Sequence, residues 1–348
     1  MKIIPGLPPI VEHQSVGLDL EIYKMTERKL HRPTGQFACL SIALNNGNVY
    51  QITDQNDIPQ ALGRIHKSEW VFHNALFDLF HLTRWVPQSM VRAILRQEIW
   101  DTMLADQSIF GGYYETFSLE DLSRRWLGLH TDKSTRDLFI TRESMTVKMQ
   151  KYAALDPFRT LNIRYLQGKW SKENQEPLNS YLDIDLPMVR TVLRMVPIRV
   201  DVDGWIALAN KNEIQKNSIR TKLGFNPGSP QQVRKQLPFL PDTKADTLLT
   251  YRHRAPALID EILLYRMYEE AVSTYGKGWI EKNVEGDGLV YPSWHISGAE
   301  TGRMSCSNPN MQNIPIRAWH PDAPVNYGNL IRLAFVPPAG RYWFKADF

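Results

Sequence analysis

The stretch SVGLDLEI, Ser15 to Ile22, decides how the first half of the chain reads. Apolar residues fall at Val16, Leu18, Leu20 and Ile22, the period of two that a strand with one buried face requires. The opposite face carries Asp19 and Glu21. Two carboxylates two residues apart on a strand share a face, and they repel unless solvent or a cation screens them. A solvated face also explains such a pair. With 37 acidic residues among 348, chance supplies about four acid-x-acid pairs, so the rest of the chain has to decide.

Moving outward, FACLSIALNNGNVYQI reads as two strands around an Asn-Asn-Gly-Asn turn. DIPQALGRI predicts a short helix, EWVFHN a strand and ALFDLFHLTRW a helix. SLEDLSRRWLG and SMTVKMQKYAALDPFRTLNIRYLQ have helical spacing, and Ser118 with Asp121 has the pattern of a capping box. Strands followed by helices predict an α/β domain of about 165 residues. The polar run GKWSKENQEPLN, Gly168 to Asn179, reads as a linker or surface loop. DVDGWIALANKNEIQKNSIRTKLG is a long helix ending at Gly224, and NPGSPQQVRKQL is a turn leading into a short helix. ALIDEILLYRMYEEAVSTYGKGWIEKN reads as a second long amphipathic helix, and the two long helices suit a projecting hairpin. After Gly288 the pattern becomes loops and strands: GLVYPSWHI, a Gly/Ser/Asn/Pro-rich tract, LIRLAFVPP and RYWFKADF.

Composition sets the outer limits. A chain of 348 residues with 43% hydrophobic and 22% charged residues is an ordinary globular protein of two or three domains. A net charge of +4 permits a polyanionic partner without demanding one. Two cysteines, Cys39 and Cys306, with no CxxC spacing argue against a disulfide framework or zinc site and fit a reducing compartment. MKIIPGLPPIVEHQ lacks the apolar core of a signal peptide, and no run of 18 apolar residues occurs. No membrane partner and a cytoplasmic location are therefore expected.

Two further acids bear on the strand pair. In VFHNALFDLFHL, Asp78 follows Asn74 by one helical turn; a plain N-cap with an exposed acid would look the same. In KYAALDPF, Tyr152 and Asp156 share one helical face, which a core tyrosine beside a solvated acid would also produce. Taken together, the three stretches resemble the DEDD-type 3′→5′ exonucleases of the subclass with a tyrosine in the third motif. WDTMLADQSI and SLEDLSRRWLGLHTDK resemble the same family between its second and third motifs. SYLDIDLP repeats the spacing with Tyr181 and Asp185, but it lacks the Tyr-Ala-Ala helix context and lies beyond the polar run.

The chemistry of that family accounts for the residue types. A phosphodiester is anionic, and two divalent ions about 3.5–4 Å apart can hold the nucleophile and the leaving oxygen of an in-line displacement. Mg²⁺ takes carboxylate and water oxygens, hence acids rather than His or Cys. The resemblance implies two Mg²⁺ (or Mn²⁺) ions, with Asp19 touching both. It implies Glu21 and Asp156 around the attacking water, Asp78 on the second ion and Tyr152 orienting the water. It also implies Asn74 and Met25 near the terminal nucleotides, whereas Asp101 is expected to be structural.

In the second half, TGRMSCSNPNMQNIPIR, Thr301 to Arg317, packs Arg303, Asn310, Gln312, Asn313 and Arg317 into one span. A long polar loop is one account of it. Donor-rich side chains also suit the minor groove, whose acceptors look alike for every base pair. The stretch closely resembles the Thr-Gly-Arg-Leu-Ser…Asn-Leu-Gln-Asn-Ile-Pro signature of family A DNA polymerases, with Met304 and Met311 in place of leucines. NPGSPQQVRKQL and YRMYEEAVSTYGKGW resemble that family's thumb, which implies Lys277 at backbone phosphates. Glu270-Ala271 departs from its usual Lys-Leu. IRLAFVPPAGRYWFKADF resembles the run into the first polymerase carboxylate motif, which identifies Asp347 as one of two metal-binding aspartates.

The resemblance implies an RNase H-like α/β exonuclease domain (1–166), a linker (167–199), a mainly α-helical thumb (200–285) and an incomplete α+β palm (286–348). It implies the N-terminal part of a proofreading family A DNA polymerase, in a bacterial cell or a phage-infected host. The fingers and second polymerase aspartate lie beyond Phe348, so polymerisation by this chain alone is not expected. Expected partners are DNA, as a single-stranded 3′ end and as primer–template duplex, and a complementing C-terminal fragment. dNTPs, and Mg²⁺ at Asp347, are expected only with that missing part. A stand-alone exonuclease acting on DNA or RNA and a non-catalytic primer–template-binding module are the alternatives.

Overall fold

The computed structural model describes residues 1–24, 35–130, 135, 137–174, 176–299, 301–315 and 327–344. They form two compact units. The first comprises Met1–Val196 with Ser293–Ser307, and the second Pro197–Pro292 with the described residues from Asn308 onward.

The first unit is built on a six-stranded mixed sheet: β1 (Lys2–Pro5), β2 (Glu12–Tyr23), β3 (Gln36–Ala43), β4 (Asn48–Ile52), β5 (Lys67–Phe72) and β6 (Ile99–Asp101). Their order is β1-β4-β3-β2-β5-β6. β2, β3 and β4 are antiparallel neighbours, while β1 on β4, β5 on β2 and β6 on β5 are parallel. The expected turn joins β3 to β4, with Gly47 at φ 81°, a region that penalises a Cβ. The helices α1 (Ile58–Arg64), α2 (Ala75–Leu82), α3 (Thr102–Phe110) and α4 (Val147–Ser171) flank the sheet. The capping box at Ser118 and Asp121 is present.

The alternation read in SVGLDLEI places the two faces of β2. Leu18, Leu20 and Ile22 are buried in the main core with Ala75, Leu79 and Leu82 of α2. Each such side chain contributes about 1.5–3 kcal/mol on burial. The other face meets α4: Tyr23 packs with Met149 and Ala153, and Gly17 lies beneath the Pro157 carbonyl. Further along α4, Arg164 Nε and Nη2 each donate to Glu69 of β5 at 3.0 Å, and the guanidinium lies 3.8 Å from the Trp100 ring centre. Ser15 Oγ donates to the same Glu69 at 2.6 Å, tying β2 into this clamp.

The expected linker is instead part of this unit. α4 continues through Gly168 to Ser171, and Glu176–Ser180, Tyr181–Asp185 and Leu186–Leu193 are helical. Leu178, Tyr181, Val189 and Val192 are buried in the main core. The polar run covers only the solvent side of this segment, and its apolar residues recur at helical spacing behind it.

In the second unit, α5 (Val202–Leu223) and α6 (Pro256–Tyr275) pack on each other. α5 starts at Asp201, whose Oδ1 accepts from Gly204 N at 3.0 Å, and ends at left-handed Gly224, φ 70°. Trp205 stacks on Trp279 at 4.4 Å and 11°, and its Nε1 donates to Tyr275 O at 2.8 Å. A three-stranded sheet joins Phe335–Val336, Ile198–Val200 and Leu289–Val290 in that order.

Two expectations change here. The second long helix breaks at Gly276, which is extended (ψ −165°), and a new helix spans Lys277–Asn283. A Cβ at Gly276 would lie 2.2 Å from Val272 O. LIRLAFVPP is not a strand throughout: Tyr327–Leu333 is helical, and only Phe335–Val336 pairs. Ile331 and Ala334, three apart, reach the core, which is a helical spacing. Among the described residues, no helix is long and apolar enough to cross a membrane.

Candidate active site

Asp19 and Glu21 project from β2 toward α4, where Tyr152 and Asp156 sit one turn apart. One carboxylate oxygen each from Asp19, Glu21 and Asp156 lies within 4.8 Å of the others, and all three residues are half-buried. Two acids come from one strand and the third from a helix about 140 residues on, so the fold creates the cluster. Arg159 Nη1 lies 4.0 Å from Asp156 Oδ1. An oxygen-only donor set at this spacing fits a hard divalent cation and suits soft metals poorly.

Asp78 reaches the site by another route and is not among those three. Pairing between β2 and β5 ends at Gly17 and Val71, and the chain then turns into α2. The Leu20 N–H donates to Asp78 Oδ1 at 2.9 Å. Burial, and then the Asp19 charge, push the Asp78 carboxyl well above its usual range, while the Leu20 N–H acts the other way. A cation beside Asp19 would reverse the balance by supplying the missing positive charge.

Asp101 at the end of β6 is a structural clasp. Its Oδ1 accepts from Asn74 N (3.1 Å), Met103 N (2.9 Å) and Leu104 N (3.3 Å), and its Oδ2 from Ala75 N (2.8 Å). It therefore caps α3 and fixes the entry to α2. Asn74 is left-handed at φ 70° and exposed. The rejected Tyr181 is fully buried, and its hydroxyl accepts from Asp101 N at 2.8 Å, a packing role.

Cross-strand neighbours complete the floor and were not picked out from sequence. Ser41 is opposite Asp19, Cys39 opposite Glu21, and Gln51 opposite Ser41. Gln51 Nε2 donates to Ser41 Oγ at 3.2 Å and to Gln150 O at 2.8 Å, anchoring the start of α4 to the sheet. Burial, then the charges of Glu21 and Asp19, push the Cys39 thiol well up, so it stays protonated and acts as a small wall. Register alone exposes these residues, and only a known strand pairing supplies register. Tyr152 is half-buried, with its ring 6.2 Å from that of Phe139.

The second-half candidates among the described residues are exposed. Arg303 belongs to the first unit, and Lys277, Asn310, Gln312 and Asn313 to the second. Asn310 Oδ1 accepts from Gln312 N at 3.0 Å and shapes the turn Met311–Asn313. Tyr275 OH donates to Asn313 O at 2.9 Å, holding that turn against the end of α6, two residues before Lys277. Met25, Arg317 and Asp347 lie outside the described residues.

Comparison with known proteins assigns both regions. Residues 10–166 match the family model described as 3′-5′ exonuclease, and residues 208–348 match DNA polymerase family A. The DNA polymerase I of Pseudomonas aeruginosa is 28% identical over 289 residues, 73% of this chain and 30% of that protein. That of Treponema pallidum is 28% identical over 308 residues, 80% of this chain and 29% of that protein. The chain thus spans under a third of these relatives. A solved structure, the POL domain of Pol1 from M. smegmatis in complex with DNA primer-template and dNTP, superposes with a TM-score of 0.68 at 20% identity. It covers 97% of this chain and 59% of that one. The chain thus joins a region similar to 3′-5′ exonucleases, residues 10–166, to a region similar to DNA polymerase family A, residues 208–348.

Proposed function

We propose that the first unit removes nucleotides from the 3′ end of DNA by metal-dependent phosphodiester hydrolysis. In the same reading, α5, α6 and the Thr301–Arg317 stretch are the thumb and the start of a palm that hold primer–template duplex. The observation that carries the first part is the convergence of Asp19, Glu21 and Asp156 within 4.8 Å, beside the helix that presents Tyr152. The exonuclease family match over the same residues supports it. For the second part, the support is the polymerase family match and the exposed donors at Lys277, Arg303, Asn310, Gln312 and Asn313.

Asp19, Glu21 and Asp156 would hold one Mg²⁺, with Asp19 shared by a second that Asp78 faces. Bound there, divalent ions would neutralise phosphate charge and make hydroxide available at neutral pH. The Tyr152 phenol, one turn from Asp156, is placed to align the attacking water by a hydrogen bond. Asn74, exposed at the start of α2, would meet the terminal nucleotide. Minor-groove donors would grip duplex of any sequence, because the groove's acceptors are nearly the same for every base pair. Two buried cysteines, neither in a disulfide, fit a reducing, cytoplasmic setting.

The test is release of 3′ nucleotides from single-stranded DNA with and without Mg²⁺, by the chain and by its Asp19→Ala variant. Mg²⁺-dependent release that the substitution removes is expected. Equal release by both would sink the assignment, and preference for RNA would favour the stand-alone reading. Salt-sensitive duplex binding without release would favour a binding module.

A further inference from the structure

We propose that Gly17 is a positioning residue for the carboxylate cluster, setting how closely α4 approaches β2 and so where Asp156 stands relative to Asp19 and Glu21. The inference rests on the exonuclease reading of that cluster.

Gly17 lies on β2, on the face that carries Asp19 two residues later, and it is buried. Its φ is outside the left-handed region, so backbone conformation does not demand a glycine there. Space does. A Cβ at Gly17 would lie 2.2 Å from Pro157 O and 3.1 Å from Leu161 Cβ. The nearest atom is a helix carbonyl, which cannot rotate away as a side chain can. Pro157 stiffens the spot further, because its ring holds φ at about −65°.

Any side chain at 17 therefore has to move α4 outward. Restoring ordinary contact, 3.4 Å or more, from 2.2 Å needs a shift of more than about 1 Å. The residue carried with Pro157 is its neighbour Asp156, so the shift falls on one of the three converging carboxylates. The Arg164–Glu69 clamp, two turns further along α4, resists translation of the helix as a whole. The displacement then concentrates at the site end. Gly63 provides a contrast: it is in α1 and exposed, and a Cβ there would meet nothing within 4 Å.

The experiment compares the 348-residue chain with G17A, G63A and D19A. Mn²⁺ binding is measured by electron paramagnetic resonance of the free ion, alongside Mg²⁺-dependent 3′-nucleotide release and circular dichroism at 25 °C. G17A is expected to keep its circular dichroism spectrum while binding Mn²⁺ at least tenfold more weakly. Its release should fall about 100-fold, the scale of a 1 Å misplacement. G63A should match the unaltered chain in all three measurements. Unchanged Mn²⁺ affinity in G17A would overturn the role of Gly17. Loss of the folded spectrum in G17A would overturn it too, since the residue would then serve the fold as a whole. The two failures separate: an unaltered chain that releases nothing sinks the exonuclease reading, whereas equal Mn²⁺ binding by G17A and the unaltered chain sinks only the inference.

Discussion

The carboxylate cluster and the donor-rich tract Thr301–Arg317 are built in opposite ways. Asp19, Glu21 and Asp156 stand on a central strand and a 25-residue helix, with Ser41 and Cys39 in register beside the two strand acids. Arg303, Asn310, Gln312 and Asn313 stand on turns and short elements, exposed, and the division between the two units falls within the tract after Ser307. Holding ligand atoms within 4.8 Å demands rigid elements. Gripping a regular polyanion does not, because many contacts share the work and each is individually modest. The difference predicts steep losses from single changes in the first region and shallow ones in the second.

The largest effect should come from Asp19→Ala. Nucleotide release is expected to fall about 1,000-fold, about 4 kcal/mol of barrier, with duplex affinity unchanged by fluorescence anisotropy. A parallel fall in duplex affinity would erase the contrast. Next is Asp101→Ala, which strips the acceptor from four backbone N–H groups. We expect the first unit to lose about 2–4 kcal/mol in urea unfolding, with the second unit's transition unmoved.

Changes in the other region should be smaller. Lys277→Ala is expected to weaken duplex binding at low salt and to lower the log–log salt slope by about one. Gln312→Ala should weaken it less than about tenfold with the slope kept. A hundredfold loss from either would show that the tract is as tightly organised as the cluster.

The smallest effect is a pH dependence confined to the first unit. Burial, then the charge of Arg84, hold the His81 imidazole down at about 4 from its ordinary 6.5. His81 Nδ1 lies 2.9 Å from Arg84 Nη1 and accepts from it. Between those values the unfolded chain takes up a proton that the folded chain refuses, so stability is full above pH 6.5 and is lost as pH falls toward 4. His73 is likewise held at about 4 by burial, so His81→Gln should reduce but not abolish the slope of the urea midpoint over that window, and an unchanged slope would show that His81 is not one of its sources.

Where local pattern carries the information, the sequence was legible. The alternation in SVGLDLEI, the Asn-Asn-Gly-Asn turn, the Ser118 capping box and the Gly224 helix end are all short-range signals, and each is present. The choice of Tyr152 over Tyr181 also rested on local helix context, and Tyr181 is consumed by Asp101 N. Tertiary facts stayed hidden. The polar face of 168–179 concealed a helix that packs into the core, because solvent exposure on one side says nothing of the other. Ser41, Cys39 and Gln51 join the site floor only through strand register. The tie of Asp78 to Leu20 depends on where β5 leaves β2, which no window of sequence encodes.

The stacked Trp205 and Trp279 have a practical consequence. Two nearly parallel indoles 4.4 Å apart behave as coupled chromophores, so their transitions should split into a paired signal in far-ultraviolet dichroism. Both belong to the second unit. The molecule thus carries its own optical label, one that would let the melting of that unit be watched by itself while the first is altered at will.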